Sequence, residues 1–251
     1  MWLTTVTDHW ATAAVVGPHS RDLLRKLVVD IDLDDAAFPF MAVREGQLSI
    51  GGTTVPARLF RISFSGERSY EVNVPARHGL AVWEALHAAG GDWGVTPYGT
   101  EAMHVLRAEK GFVIVGQDTD GSVTPIDLGM AGMVAKTKDF LGRRALARSD
   151  TARTDRKQFV GLLTDDPGFV LPEGAQVLRG EPCNVPMAMD GHVTSSYASP
   201  TLGRSIALAL VRAGLQRMGQ RVHVALRGGR SVTAVITHPV FYDPQGERQH
   251  A

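Results

Sequence analysis

The sequence predicts an α+β layer, an antiparallel sheet with helices on one face, followed by a small C-terminal β-barrel. Three observations carry this. The first 110 or so residues alternate strand and helix signals in the order strand, helix, three strands, helix. A polar stretch without periodicity, Ser149–Arg156, then interrupts the chain. Beyond it the pattern changes to short strands separated by turn residues.

Taken in order, the apolar run Ala11–Val16 reads as a buried strand ended by Gly17-Pro18. Ser20–Val28 follows as a helix with Leu23, Leu24 and Leu27 at core spacing. Asp30–Asp35 is a charge run, expected to be a solvated loop. Met41–Ile50 and Thr53–Phe64 read as strands joined at Gly51-Gly52. Tyr70–Val74 is a further strand. Ala76–Ala89 is an amphipathic helix carrying Leu80, Val82, Trp83 and Leu86, closed by Gly90-Gly91. A last helix begins near Pro97–Thr100 and stops at Gly111. In the second half the expected strands are Phe159–Leu163, Ala175–Leu178, Gly191–Ser195, Ile206–Val211, Arg221–Leu226 and Val232–Thr237. Gly228-Gly229 marks a hairpin between the last two. This places one domain in residues 1–150 and a second in 157–251.

Composition narrows the function. The chain has 251 residues and 44% hydrophobic content, enough for a large core. Lys and Arg together number 26, as do Asp and Glu, so the formal charge is zero. A nucleic-acid binder would carry a basic excess. Neutrality suits a subunit that associates with others. The single cysteine, Cys183, excludes an intramolecular disulfide. It is expected to be structural or incidental. No signal-peptide pattern opens the sequence and no run of eighteen apolar residues occurs in it. No membrane and no nucleic-acid partner are expected, and the location expected is cytoplasmic.

Two segments carry the chemistry. Arg61-Ile-Ser-Phe-Ser-Gly-Glu-Arg-Ser-Tyr-Glu-Val72 places Glu67 just after a glycine turn. Pro97–Phe112 is a helix with Arg107 and Glu109 near its C-terminal end. A carboxylate beside a tight turn can accept two hydrogen bonds from a planar N–C–N donor array, and an arginine can hold an anionic tail bidentately. The pair suits a ligand with an amino-pyrimidinone ring at one end and a carboxylate at the other. For Glu67 the plainer alternative is an exposed turn carboxylate, and for Arg107 an arginine lying along a helix surface. Glu109 either salt-bridges a neighbour or orients Arg107. Tyr242, in Pro239-Val-Phe-Tyr-Asp-Pro244, either meets a ligand or caps the barrel.

These segments resemble the aminomethyltransferase, or glycine cleavage T-protein, family. Arg61–Val72 resembles its R-x-G-Y-T-G-E-x-G-F-E signature, and Thr100–Gly111 its A-R-D-x-L-R-L-E-A-G helix. Thr124–Val134 with Asp139–Leu146 resembles T-P-x-E-A-G-L-G-W-x-V…D-F-I-G-R-x-A-L. Gly191–Leu202 with Ser205–Val211 resembles the barrel motif G-x-V-T-S-G-x-x-S-P-x-L…I-A-L-A-x-V. The four blocks stand in family order across nearly the whole chain. Val6–Pro18 and Pro239–Arg248 resemble one branch in particular, the C-terminal folate domains of heterotetrameric sarcosine oxidase alpha subunits.

The resemblance implies a ferredoxin-like folate-binding layer and a tetrahydrofolate ligand. Glu67 would hold the pterin ring, and Arg107 and Tyr242 would stand near the folate, with Glu109 behind Arg107. Phe64 stands where the family usually has tyrosine, so one hydroxyl contact is lost. The resemblance also implies a preceding stretch carrying an aspartate that steers the folate nitrogen. No counterpart lies before Val6, so no catalytic residue is assigned in this chain, which is expected to be a fragment or a truncated gene. The implied activity is conversion of the one-carbon product of sarcosine oxidation to 5,10-methylenetetrahydrofolate. The chain alone is expected to be inactive, with other sarcosine oxidase subunits as partners. The alternatives are a stand-alone aminomethyltransferase, a dimethylglycine oxidase folate domain and a non-catalytic folate-binding or assembly module.

Other chemistries lack their motifs. No G-x-G-x-x-G or Walker loop occurs, so FAD, FMN or NAD would belong to other parts of a complex. The nine histidines form no ligand grouping, and no metal is expected. Gln117–Gly121 starts like a calcium loop, but Gly129 stands where the loop needs glutamate.

Overall fold

The computed structural model describes residues 1–182 and 186–250. The expected role of Cys183 falls outside them. The chain forms two compact units, Met1–Met103 with Gln245–Ala251, and His104–Pro244.

The first unit is built on a four-stranded antiparallel sheet in the order β1-β4-β3-β2. These strands are β1 (Trp10–Val16), β2 (Val43–Ile50), β3 (Thr53–Phe60) and β4 (Ser69–Pro75). β2 and β3 join at Gly51-Gly52, whose φ values of 56° and 80° suit the twist of a two-residue hairpin. Alternation along the strands sends Leu48, Val55, Ala57, Leu59, Tyr70, Val72 and Val74 to one buried face. Two helices close that face, α1 (Ser20–Arg25) with Leu23 and Leu24, and α2 (Gly79–Ala89) with Val82 and Leu86. The core is completed by Leu33 and Phe38, both buried.

Three expectations are corrected here. β1 is not a buried strand: only Val15 in it is buried, because it pairs on one side alone, with β4. Leu80 and Trp83 of α2 are exposed, and the core face of the helix is the Val82–Leu86 stripe. The Asp30–Asp35 run is not merely solvated. Asp35 pairs with Arg21 and with the buried Arg68, and Asp30 accepts the Gln47 amide at 2.7 Å.

In the second unit six strands close a barrel in the order β10-β5-β8-β7-β6-β9. They are β5 (Lys157–Thr164), β6 (Gln176–Leu178), β7 (Met189–Ser199), β8 (Arg204–Arg212), β9 (Arg221–Ala225) and β10 (Ser231–Thr237). All six expected strands are present, so the α+β layer and C-terminal barrel stand as the fold class. β8 is buried on both faces. Ala207, Ala209 and Val211 fill the barrel interior. Ile206, Leu208 and Leu210 instead form an outer cluster with Ala108 of helix α3 (Thr100–Glu109) and Phe159. That outer cluster fixes the C-terminal end of α3, and with it Arg107 and Glu109, against the barrel wall.

Candidate functional site

Glu67 lies between β3 and β4. Gly66 turns the chain with φ of 84°, a region closed to most side chains. The turn is tied by the Gly66 amide donating to Ser63 Oγ at 3.0 Å. The Glu67 side chain is 19% exposed, and its Oε1 accepts a 2.6 Å hydrogen bond from Arg248 Nε. It is therefore neither a free turn carboxylate nor a core residue. Arg248 comes from a C-terminal helical turn, Glu247–His250, that belongs to the same unit.

The basic side of this unit flanks the signature. Arg61 is buried and stacks on the Tyr70 ring at 5.1 Å. Its Nη2 donates to the Gln249 carbonyl at 3.0 Å, while Nε and Nη1 have no hydrogen-bond partner among the described residues. Arg68 grips Asp35 with two hydrogen bonds of 2.9 and 3.1 Å. The Arg68 guanidinium, helped by Arg21, holds the Asp35 carboxyl below its ordinary range. Its native value lies below the unfolded one, so the stabilisation is complete above the ordinary carboxylate value of about 4 and is lost as pH falls through the native value. Asp35 is half-exposed, which limits the contribution to about 1 kcal/mol or less. Thermal melts of the wild type and Asp35→Asn should differ most at neutral pH and converge as the pH falls through the lowered native value of Asp35. A difference that stays constant with pH would contradict this.

Arg107 and Glu109 belong to the second unit, and neither is on the surface. Arg107 is fully buried, so the picture of an arginine lying along a helix surface is corrected. Its Nη1 donates to Asp118 Oδ2 at 2.6 Å and its Nη2 to Ser195 Oγ at 2.7 Å. Asp118 Oδ1 in turn accepts from the hydroxyls of Thr194 (2.5 Å) and Ser195 (2.7 Å), and Oδ2 from the Ile114 amide (2.9 Å). Neighbouring strand residues normally face opposite ways. Here β7 has a register shift between Val193 and Ser195, a bulge that lets both hydroxyls reach one carboxylate oxygen.

The residue that orients Arg107 is thus Asp118 and not Glu109. Residues two apart on a helix point in different directions. Glu109 accepts from Ser199 Oγ at 2.6 Å, and its carbonyl accepts from the amides of Phe241 (2.9 Å) and Tyr242 (3.0 Å). The structure therefore joins Tyr242 to Glu109 through the backbone. Lys110 adds an ion pair to Asp243 at 3.2 Å in the same segment. Asp118, Thr194, Ser195 and Arg248 are functional candidates that sequence reasoning misses. The sequence marks Asp118 only as the start of a calcium-like loop, yet its carboxylate is saturated by protein donors. Among the described residues no group of three or more His, Cys, Asp or Glu could hold a metal ion. No helix among them is long and apolar enough to cross a membrane.

The first unit also contains a groove of about 540 Å³ between β1, the start of α1, α2 and the Trp93–Thr100 segment. Glu67 does not line it.

Comparison with known proteins adds the decisive observation. The family description "GCVT N-terminal domain" matches residues 1–138, more than half of the chain, and "Glycine cleavage T-protein C-terminal barrel domain" matches residues 157–243. The chain belongs to the glycine cleavage T-protein family. Among its relatives, the sarcosine oxidase subunit alpha of Corynebacterium sp. (strain P-1) is 48% identical over 251 residues, 98% of this chain and 25% of that protein. An aminomethyltransferase of Cupriavidus pinatubonensis is 36% identical over 91% of this chain and 56% of its own length. The chain thus spans about a quarter of the sarcosine oxidase alpha subunits it matches. The crystal structure of glycine cleavage system aminomethyltransferase T from Bartonella henselae superposes with a TM-score of 0.75 at 24% identity, covering 94% of this chain and 60% of that one. That likeness shows that the two share the T-protein fold.

Proposed function

We propose that this chain is the tetrahydrofolate-binding region of a sarcosine oxidase alpha subunit. The observation that carries the reading is the Glu67 turn: a part-buried carboxylate, set by Gly66, whose oxygen already receives a donor from a planar guanidinium. A guanidinium and the 2-amino-pyrimidinone edge of a pterin present the same N–C–N donor array, so the residues present fit that ring. Arg107 and Tyr242 take their folate roles from the family resemblance, and Glu109, whose carbonyl accepts the Tyr242 amide, is proposed to hold the Tyr242 segment rather than Arg107. Because Asp118 already neutralises the Arg107 charge, Arg107 serves as a fixed donor and positioning group rather than as a free cation. Identity to sarcosine oxidase alpha subunits along the whole chain favours this branch over a stand-alone aminomethyltransferase.

In the proposed reaction the methyl group of sarcosine is oxidised elsewhere in the complex, at a flavin, with two electrons passing finally to oxygen as hydrogen peroxide. The imine transfers its methylene to the two folate nitrogens and releases glycine; alternatively, free formaldehyde condenses there with loss of water. Holding both reactants together removes the entropy cost of their encounter. Other subunits of the oxidase are the proposed partners.

The test follows peroxide release and 5,10-methylenetetrahydrofolate formation from sarcosine, for the chain alone and for the complete complex. The chain alone should release no peroxide even with added FAD, and the complex should form both products. Peroxide release by the isolated chain at the rate of the complex would overturn the assignment.

A further inference from the structure

We propose that the Glu67 site extends to Arg61, and that the C-terminal turn Glu247–His250 occupies both groups as an internal stand-in for the ligand ring. The inference rests on the pterin reading of Glu67 and goes beyond it in two respects: it names a second reading residue and a competitor within the chain.

The polarity of the contacts carries the argument. The turn offers Glu67 a donor, Arg248 Nε at 2.6 Å, and offers Arg61 an acceptor, the Gln249 carbonyl at 3.0 Å. A 2-amino-4-oxopteridine offers the same sequence along one edge: the 2-amino group and N3–H as donors, then the 4-oxo group as acceptor. Arg61 has the chemistry of an unfinished reader. It is buried, and two of its N–H-bearing nitrogens, Nε and Nη1, find no acceptor among the described residues. Buried charged donors left unmet are costly, which favours an arriving oxygen. The turn is completed by His250, edge-on to Phe40 at 5.0 Å, where an aromatic ring of the ligand would find the same partner.

The turn is also light enough to displace. Its helix is four residues long, none of them buried, and the Arg248 side chain is 47% exposed. A short helix of this kind has little stability of its own. A half-exposed ion pair withholds only a modest share of affinity. Removing it should therefore strengthen ligand binding by a moderate factor without disturbing the sheet.

The experiment is calorimetric titration of the whole chain with 2-amino-4-oxopteridine and with 2,4-diaminopteridine, in which the acceptor oxygen is replaced by a donor. Wild type, Arg248→Ala, a chain ending at Gly246, and Glu67→Gln are compared, each checked for native circular dichroism. The oxo ring should bind Arg248→Ala and the shortened chain on the order of three- to tenfold tighter than the wild type. The diamino ring should remain the weaker ligand throughout, because its 4-amino donor faces Arg61 and its N3 no longer carries the hydrogen that Glu67 accepts. Unchanged or weaker binding by both tail variants would overturn the stand-in, since Arg248 would then be part of the ligand site or irrelevant to it. Equal binding of the two rings would remove Arg61 as a reader. No binding by any chain, or binding indifferent to Glu67→Gln, would sink the pterin reading itself and the inference with it.

Discussion

Asp118→Ala should destabilise the second unit by about 3–5 kcal/mol, the cost of leaving a buried ion without its partner. The Arg107–Asp118 pair has no solvent exposure on either side. Removing the carboxylate leaves the buried Arg107 guanidinium without its counter-ion and takes an acceptor from the hydroxyls of Thr194 and Ser195 and from the Ile114 amide. In a chain of this size each kcal/mol lowers the melting temperature by about 2–4 °C, so a fall of roughly 10 °C is expected. Breaking the exposed Arg221–Asp165 pair by Asp165→Ala should cost no more than about 1 kcal/mol, although its two charges approach equally closely. Burial, not distance, decides between them. Similar melting temperatures for the two variants would show that the buried Arg107–Asp118 pair does not govern the stability of the second unit.

Glu67→Gln should weaken folate binding about ten- to a hundredfold. One acceptor oxygen becomes an NH2 facing the donors of the ring, and losing one partner of a charge-assisted pair costs about 1.5–3 kcal/mol. A second effect opposes it. The substitution would also loosen Arg248 and so free the site from the C-terminal turn. That gain is bounded at about 1 kcal/mol because the pair is partly exposed, so the loss should prevail. Circular dichroism and the melting temperature should stay near the wild type, since Glu67 carries no part of the core. Folate affinity unchanged in this variant would remove Glu67 from the site.

Much of the fold is legible in the sequence because it follows short-range rules. The barrel strands announce themselves by apolar runs and by glycines between them, and all six lie where the pattern puts them. The Gly51-Gly52 hairpin and the stop of α3 near Gly111 are equally local. Burial is less legible. Nothing in Ala11–Val16 says that β1 would have one neighbour only, and Trp83 is as apolar as Val82 while lying on the other side of α2. The site divides in the same way. Glu67 can be proposed from the sequence because the glycine turn and the carboxylate are adjacent in it. The partners cannot. Asp118 and Ser195 are 11 and 88 residues from Arg107, and Arg248 is 181 residues from Glu67. Such pairs are chosen by the folded backbone, here by a bulge in β7 and by the return of the C-terminus to the first sheet unit.

The central claim is that Glu67 receives the ring of a folate. A crystal structure of the whole chain grown with tetrahydrofolate tests it most directly. The account predicts the 2-amino group and N3 of the pterin at roughly 2.7–3.1 Å from the Glu67 carboxylate, with Arg248 moved away from it. A ring seated elsewhere, in the groove beside β1 for instance, with the Arg248–Glu67 pair intact, would contradict it.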